Sequence, residues 1–147
     1  MNDKATEFPT APLLVRFASM IYELLLVTAV LFITSLPFLY LVGNAQTGWR
    51  HLLFQAYLVA VLFAYFGTFW LRSGQTLAMK TWRIRLLGRD GARPTLEQAL
   101  RRFGFAWLSL LLAGGGFLWA LVDRDRQFLH DRLAGTRLVR IPRKSGL

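Results

Sequence analysis

The chain has 147 residues, 54% of them hydrophobic, with a positive mean hydropathy of +0.38 and a net charge of +10. A water-soluble domain of this size cannot bury so much apolar surface, so composition points to one small integral membrane domain. The absence of cysteine excludes disulfides, thiol catalysis and Cys-ligated metal centres.

The N-terminal MNDKATEFPTAP is polar and reads as a short mobile tail rather than a signal peptide, with Pro9 and Pro12 opposing helix before the first apolar run. That run extends over about 13–42, long enough to cross a bilayer. Between Phe17 and Val42 its only ionised side chain is Glu23. A charge at the bilayer centre costs about 2.5 to 3.5 kcal/mol on insertion scales, so Glu23 needs a reason to be there. Arg16 lies two helical turns earlier on the same face, close enough to the boundary to snorkel. Ser19, Met20, Val27, Val30 and Thr34 share that stripe, which reads as facing protein. Ala18, Ile21, Leu25, Ala29, Phe32 and Leu36 read as facing lipid. Pro37 bends the helix or marks its exit into the turn-rich 43–48.

A second span is expected over about 52–71, uncharged and aromatic, with Trp49 and His51 at its entry and Trp70 and Arg72 at its exit as interfacial anchors. Tyr65, Thr68 and Arg72 fall at helical spacing. With the spans antiparallel, Arg72 comes level with Arg16 and Tyr65 with Glu23, which makes Tyr65 the expected hydrogen-bond donor to the buried carboxyl.

The following loop, 72–102, is strongly basic and is therefore expected on the cytoplasmic side, together with the N-terminus. Within it, residues 73–76 read as a turn into a short helix, 82–87 alternate like a strand, and 88–91 read as a turn. Thr95 with Gln98 forms a capping-box start for the next helix. The third apolar run, about 103–122, is interrupted by Gly114, Gly115 and Gly116. The tail after it, 123–147, is again basic, yet three full crossings would place loop and tail on opposite sides. Either the run is a full span kinked at the glycines, or it turns back there as a re-entrant segment; the charge asymmetry favours the second. A strand over 136–141 pairing with 82–87 also requires one side. The expected fold is thus an all-α membrane bundle with a short cytoplasmic β-pairing.

Three landmarks in this order carry a resemblance: Arg16 opening span one with an acid in mid-helix, GQTLAMKTWRIRLL continuing into DGARPTLEQALRR, and HDRLAGTRLVR in the tail. Together they resemble the bacterial RDD family over roughly Ala11 to Arg140. The Arg of that name falls on Arg16 and the second Asp on Asp131. The first Asp falls on position 23, where Glu keeps the acid and lengthens its reach by one methylene. The resemblance implies a multi-pass protein of the bacterial cytoplasmic membrane, connected with transport of no agreed substrate.

Two readings of these residues stand side by side. In one, Glu23 is a proton- or cation-responsive group with Arg16 and Asp131 as partners, and Asp131 gates access. In the other, Glu23 is a structural polar clamp satisfied by Arg16, Tyr65 or Thr68, and Asp131 pins the tail to a basic residue such as Arg72. His130 is expected to pack or to sit at headgroup level, since no second metal-type residue stands at ligand spacing. Ser19, Ser73 and Ser109 lack an activating His or acid, and the glycines form no phosphate loop. No metal, cofactor or enzymatic activity is therefore expected. Two or three spans cannot enclose a pathway, so transport requires a homo-oligomer or a partner subunit. The alternative is an accessory or assembly protein whose basic cytoplasmic face binds lipid or another subunit. Anionic lipid headgroups, rather than nucleic acid, are the expected match for the positive charge, because no recognition motif accompanies it.

Overall fold

The computed structural model describes residues 8–44, 46–112 and 114–142. Most of the expected N-terminal tail, and Arg143 and Lys144 of the basic tail, lie outside the described residues. Two helices dominate: α1, Leu13–Val42, and α2, Gly48–Ser73. At about 1.5 Å per residue each exceeds the ~30 Å hydrocarbon thickness, and both are apolar enough to cross a membrane. Their contacts run in opposite order along the two helices. Phe38 packs on Phe54, the Tyr57 hydroxyl donates to the Thr34 carbonyl at 2.9 Å, and Tyr65 reaches Glu23. The spans are therefore antiparallel. Ile21, Leu25, Phe32 and Leu36 are exposed, while Ser19, Met20, Val27, Val30 and Thr34 are buried or half-buried, so one face of α1 meets protein and the other is left for lipid.

The remaining elements gather at the end of the bundle that holds Leu13 and Ser73. They are α3 (Leu77–Thr81), β1 (Ile84–Gly88), α4 (Leu96–Leu111), α5 (Gly115–Val122), α6 (Leu129–Ala134) and β2 (Thr136–Arg140). Strands β1 and β2 pair antiparallel, with Leu86 opposite Leu138. β1 begins two residues later than its alternation implies. α3 runs on to Thr81, and Arg83, with φ of 53°, makes the bend that turns helix into strand. The expected capping box is present: Thr95 accepts from the Gln98 backbone, and the Gln98 side chain accepts from the Thr95 backbone.

The expectation of a mobile tail up to Pro12 requires correction. The Pro9 carbonyl accepts from the Arg140 backbone at 2.9 Å, and the Ala11 backbone donates to the Leu138 carbonyl at 3.1 Å. β2 would otherwise present an unpaired edge, and the N-terminal segment satisfies it. On the opposite edge, Gly74 and Gln75 do the same for β1. The Leu86 backbone donates to the Gly74 carbonyl at 2.8 Å, and the Gln75 amide donates to the Ile84 carbonyl at 2.7 Å. Gly74 is required twice over, by its φ of 68° and because a Cβ there would stand 2.7 Å from the Leu86 carbonyl.

The third apolar run falls in two helices, α4 and α5. Gly116 packs directly on Ser109, leaving no room for a side chain. The core beneath the sheet is built from Trp70, Met79, Ile84, Leu86, Ala99, Phe128 and Leu138.

Candidate functional site

Glu23 is half-buried on α1, and each of its oxygens meets a hydroxyl. Tyr65 donates to Oε1 at 2.7 Å, as the antiparallel arrangement requires. Thr76 donates to Oε2, which sequence reasoning missed. Thr76 is also the N-cap of α3, accepting from the Met79 backbone at 3.3 Å. Its hydroxyl is thus oriented by the start of a helix and presented to the carboxylate. Thr68, the other expected donor, is exposed. It lies nearly one turn on from Tyr65 and about 60° off around the helix, and that offset leaves it at the exposed edge of the face that presents Tyr65 to α1.

Arg16 does not snorkel. It is only 1% exposed, with Nε donating to the Ala11 carbonyl at 2.7 Å and Nη1 to the Arg126 carbonyl at 2.5 Å. Its guanidinium lies over the Phe128 ring, 5.4 Å from the centroid. Residues 9–11 and 126–128 fold over the start of α1 and cut it off from the boundary.

Nor does Arg16 take Asp131 as its partner. The Asp131 carboxylate pairs with Arg102 of α4, both side chains being almost completely buried. Arg72 is also excluded as the anchor of Asp131: its side chain is exposed, and its carbonyl accepts from Arg93 at 2.7 Å. Arg102 was not singled out from the sequence, though a signal exists. Ala99, Arg102, Ala106 and Ser109 fall at helical three-four spacing, so Arg102 is the one long cation on a stripe of small residues that packs inward.

His130 is buried against Phe128, with ring centroids 5.5 Å apart and nearly parallel, and against the edge of Phe117. Burial first, and then the neighbouring Arg102 cation, hold its imidazole well below the usual histidine range. It is neutral at pH 7. Arg16 and Arg102 also lie near enough to repel one another.

These groups surround a cavity of about 320 Å³ whose lining includes Arg16, Ser19, Glu23, Trp70, Arg102 and His130. The structure thus brings Arg16, Glu23 and His130 to one cavity. Asp131 stands behind Arg102, and Tyr65 and Thr76 stand behind Glu23. Among the described residues no cluster of three or more His, Asp or Glu has the arrangement of a metal centre.

Comparison with known proteins agrees with these landmarks. The RDD family model matches residues 10–135, a stretch that contains Arg16, Glu23 and Asp131. The chain belongs to the RDD family. It is also similar to an uncharacterized protein of Rickettsia prowazekii (strain Madrid E), 34% identical over 83 residues. That match covers 56% of this chain and 46% of the relative, so it spans about half the relative's length. No solved structure matches the RDD chain.

Proposed function

We propose that this RDD protein moves a proton, a small cation or a small solute across the bacterial cytoplasmic membrane, with Glu23 as the titrating or binding group. The supporting observation is the placement of that carboxylate in the wall of the cavity between the spans, held, among the described residues, by two hydroxyls and not by a cation. An acid at membrane depth that faces a cavity is by default a candidate for ion or proton handling. The same hydrogen bonds also tie α1 to α2 and to the start of α3, so the residue is a clamp as well. Asp131 acts on the pathway only through Arg102. Two spans enclose no channel, and the pathway therefore requires a homo-oligomer or a partner subunit.

In this reading the third run is re-entrant, and the N-terminus, the 72–102 loop and the tail all face the cytoplasm. The division of that run into α4 and α5 and the pairing of β1 with β2 support it. A reporter enzyme that works only in the cytoplasm, fused to the C-terminal segment, should be active; activity of a reporter that works only in the periplasm would refute the arrangement.

The functional test is flux into liposomes reconstituted with the protein. Glu23→Gln should abolish ion-driven movement while the helices still form. Flux that is indifferent to this change would overturn the role of Glu23. A second reading, a non-catalytic accessory protein, is favoured by the exposed arginines 83, 85, 89, 93, 101 and 140 around the sheet and the start of α4. Recovery of a crosslinked partner, with no flux by the wild-type protein, would select it.

A further inference from the structure

We propose that the cavity beside Arg16 binds a single-chain carboxylate amphiphile, its head at Arg16, Trp70 and Arg102 and its tail between α1, α2 and α4. This deepens the transport reading by naming a solute class and rests on it for physiological meaning; the binding site itself rests on the following geometry.

Among the described residues, three side chains at this end of the cavity carry buried N–H groups without an acceptor, Nη2 of Arg16, Nε1 of Trp70 and Nε of Arg102; the unpaired Nδ1 of His130 lies on the same wall, while Nη1 of Arg102 and the oxygens of Asp131 face one another in the ion pair. Arg16, Trp70 and Arg102 are 1%, 4% and 6% exposed, and all three line the same cavity. Buried donors are ordinarily paired, and three unpaired ones around one space call for an acceptor. The charge balance gives that acceptor a sign. Arg102 is matched by Asp131, whereas the polar partners of Arg16 among the described residues are the carbonyls of Ala11 and Arg126. Glu23 lies about two helical turns away along α1, its oxygens already engaged by Tyr65 and Thr76. Among the described residues no carboxylate is within ion-pair distance of the Arg16 guanidinium, and a ligand bearing one negative charge would match it. A carboxylate suits the planar fork of arginine, whereas a phosphate monoester would bring a second charge with nothing to meet it.

The other walls specify the remainder of the ligand. Leu24, Val27, Leu62 and Leu110 line the cavity, and Leu24 and Leu110 are 66% and 56% exposed on the outer side of the bundle. The cavity therefore opens sideways to the bilayer, and a hydrocarbon chain enters from there. A volume of about 320 Å³ is roughly twice that of an apolar cavity that holds benzene, and so takes on the order of ten non-hydrogen atoms. That is the size of octanoate, and far less than a two-chain phospholipid.

The test uses the full chain in phosphatidylcholine nanodiscs and ω-bromooctanoate, whose bromine quenches indole fluorescence; Trp70 and Trp107 both line the cavity. The acid should quench saturably, above the background of bilayer partition measured with ω-bromooctanol. Arg16→Gln should weaken binding by about tenfold or more, the scale expected for a lost charge-assisted hydrogen bond. Ala106→Leu leaves every cation in place and fills the tail path, and should weaken binding similarly; it decides the matter if Arg16→Gln fails to fold. Equal quenching by acid and alcohol, or wild-type affinity in Ala106→Leu, overturns the proposal, as does displacement of the acid by phosphatidylglycerol. Binding of the acid that survives in a flux-dead Glu23→Gln variant supports it. Flux of a different solute without any acid binding defeats this proposal and leaves the transport reading standing.

Discussion

Asp131→Asn isolates the energetic centre of the end of the bundle that carries the sheet. The substitution keeps the shape of the side chain and removes its charge. Arg102, whose side chain is 7% exposed, is then left desolvated, with Arg16 repelling it and no other acid paired with it among the described residues. Breaking a buried ion pair from one side costs about 3–5 kcal/mol, because the surviving charge stays desolvated. Against a total stability of about 5–15 kcal/mol for a domain, this is a large fraction. Removing both members is a different perturbation. Arg102→Met with Asp131→Asn eliminates the stranded cation, so the double variant should recover about 2 kcal/mol or more relative to the sum of the single losses. Denaturant unfolding in mixed micelles, followed by tryptophan fluorescence, measures all four corners of the cycle. If Asp131→Asn lies within about 1 kcal/mol of wild type, or if the two single losses simply add, the pair is not the keystone inferred from its burial.

Two further outcomes follow from the same packing. His130 is held neutral with its pKa below the unfolded value of about 6.5, so below that pH the unfolded chain binds more protons than the folded one. Stability should fall on acidification from about pH 6.5, by up to about 1.4 kcal/mol per pH unit, and should be unaffected by this group above it. His130→Phe, which keeps the ring stacked on Phe128, should flatten the profile; an unchanged slope would assign the acid sensitivity elsewhere. Gly116→Ala forces a methyl group into Ser109 and should loosen α5 from α4. The expected loss is about 1–3 kcal/mol, typical of overpacking, and Ser109→Gly in the same chain should restore part of it. No rescue would show that the glycine serves the backbone and not the helix contact.

Local properties of the chain were sufficient for much of the architecture. A run of some twenty apolar residues has few alternatives to a spanning helix, so α1 begins and ends where hydropathy places it. The Thr95 capping box is a matter of residues three apart. Even the Tyr65 to Glu23 hydrogen bond is local in this sense, since two antiparallel rods joined by a short turn bring predictable positions level. β1 and β2 were legible from alternation, though not the helical turn that delays the start of β1.

The choice of partners within the candidate site was decided only by tertiary structure. The chain carries 18 Lys and Arg residues, all equally able to pair with Asp131 by charge. What singles out Arg102 is desolvation, and desolvation depends on α6 lying across α4. Thr76 reaches Glu23 because α3 tucks its N-terminus against α1, and Arg16 is sealed in because residues 9–11 and 126–128 cover it. Charge and polarity are properties of a residue and travel with the sequence. Burial is a property of its neighbours, and it is burial that turned an expected boundary arginine into a cation facing a cavity.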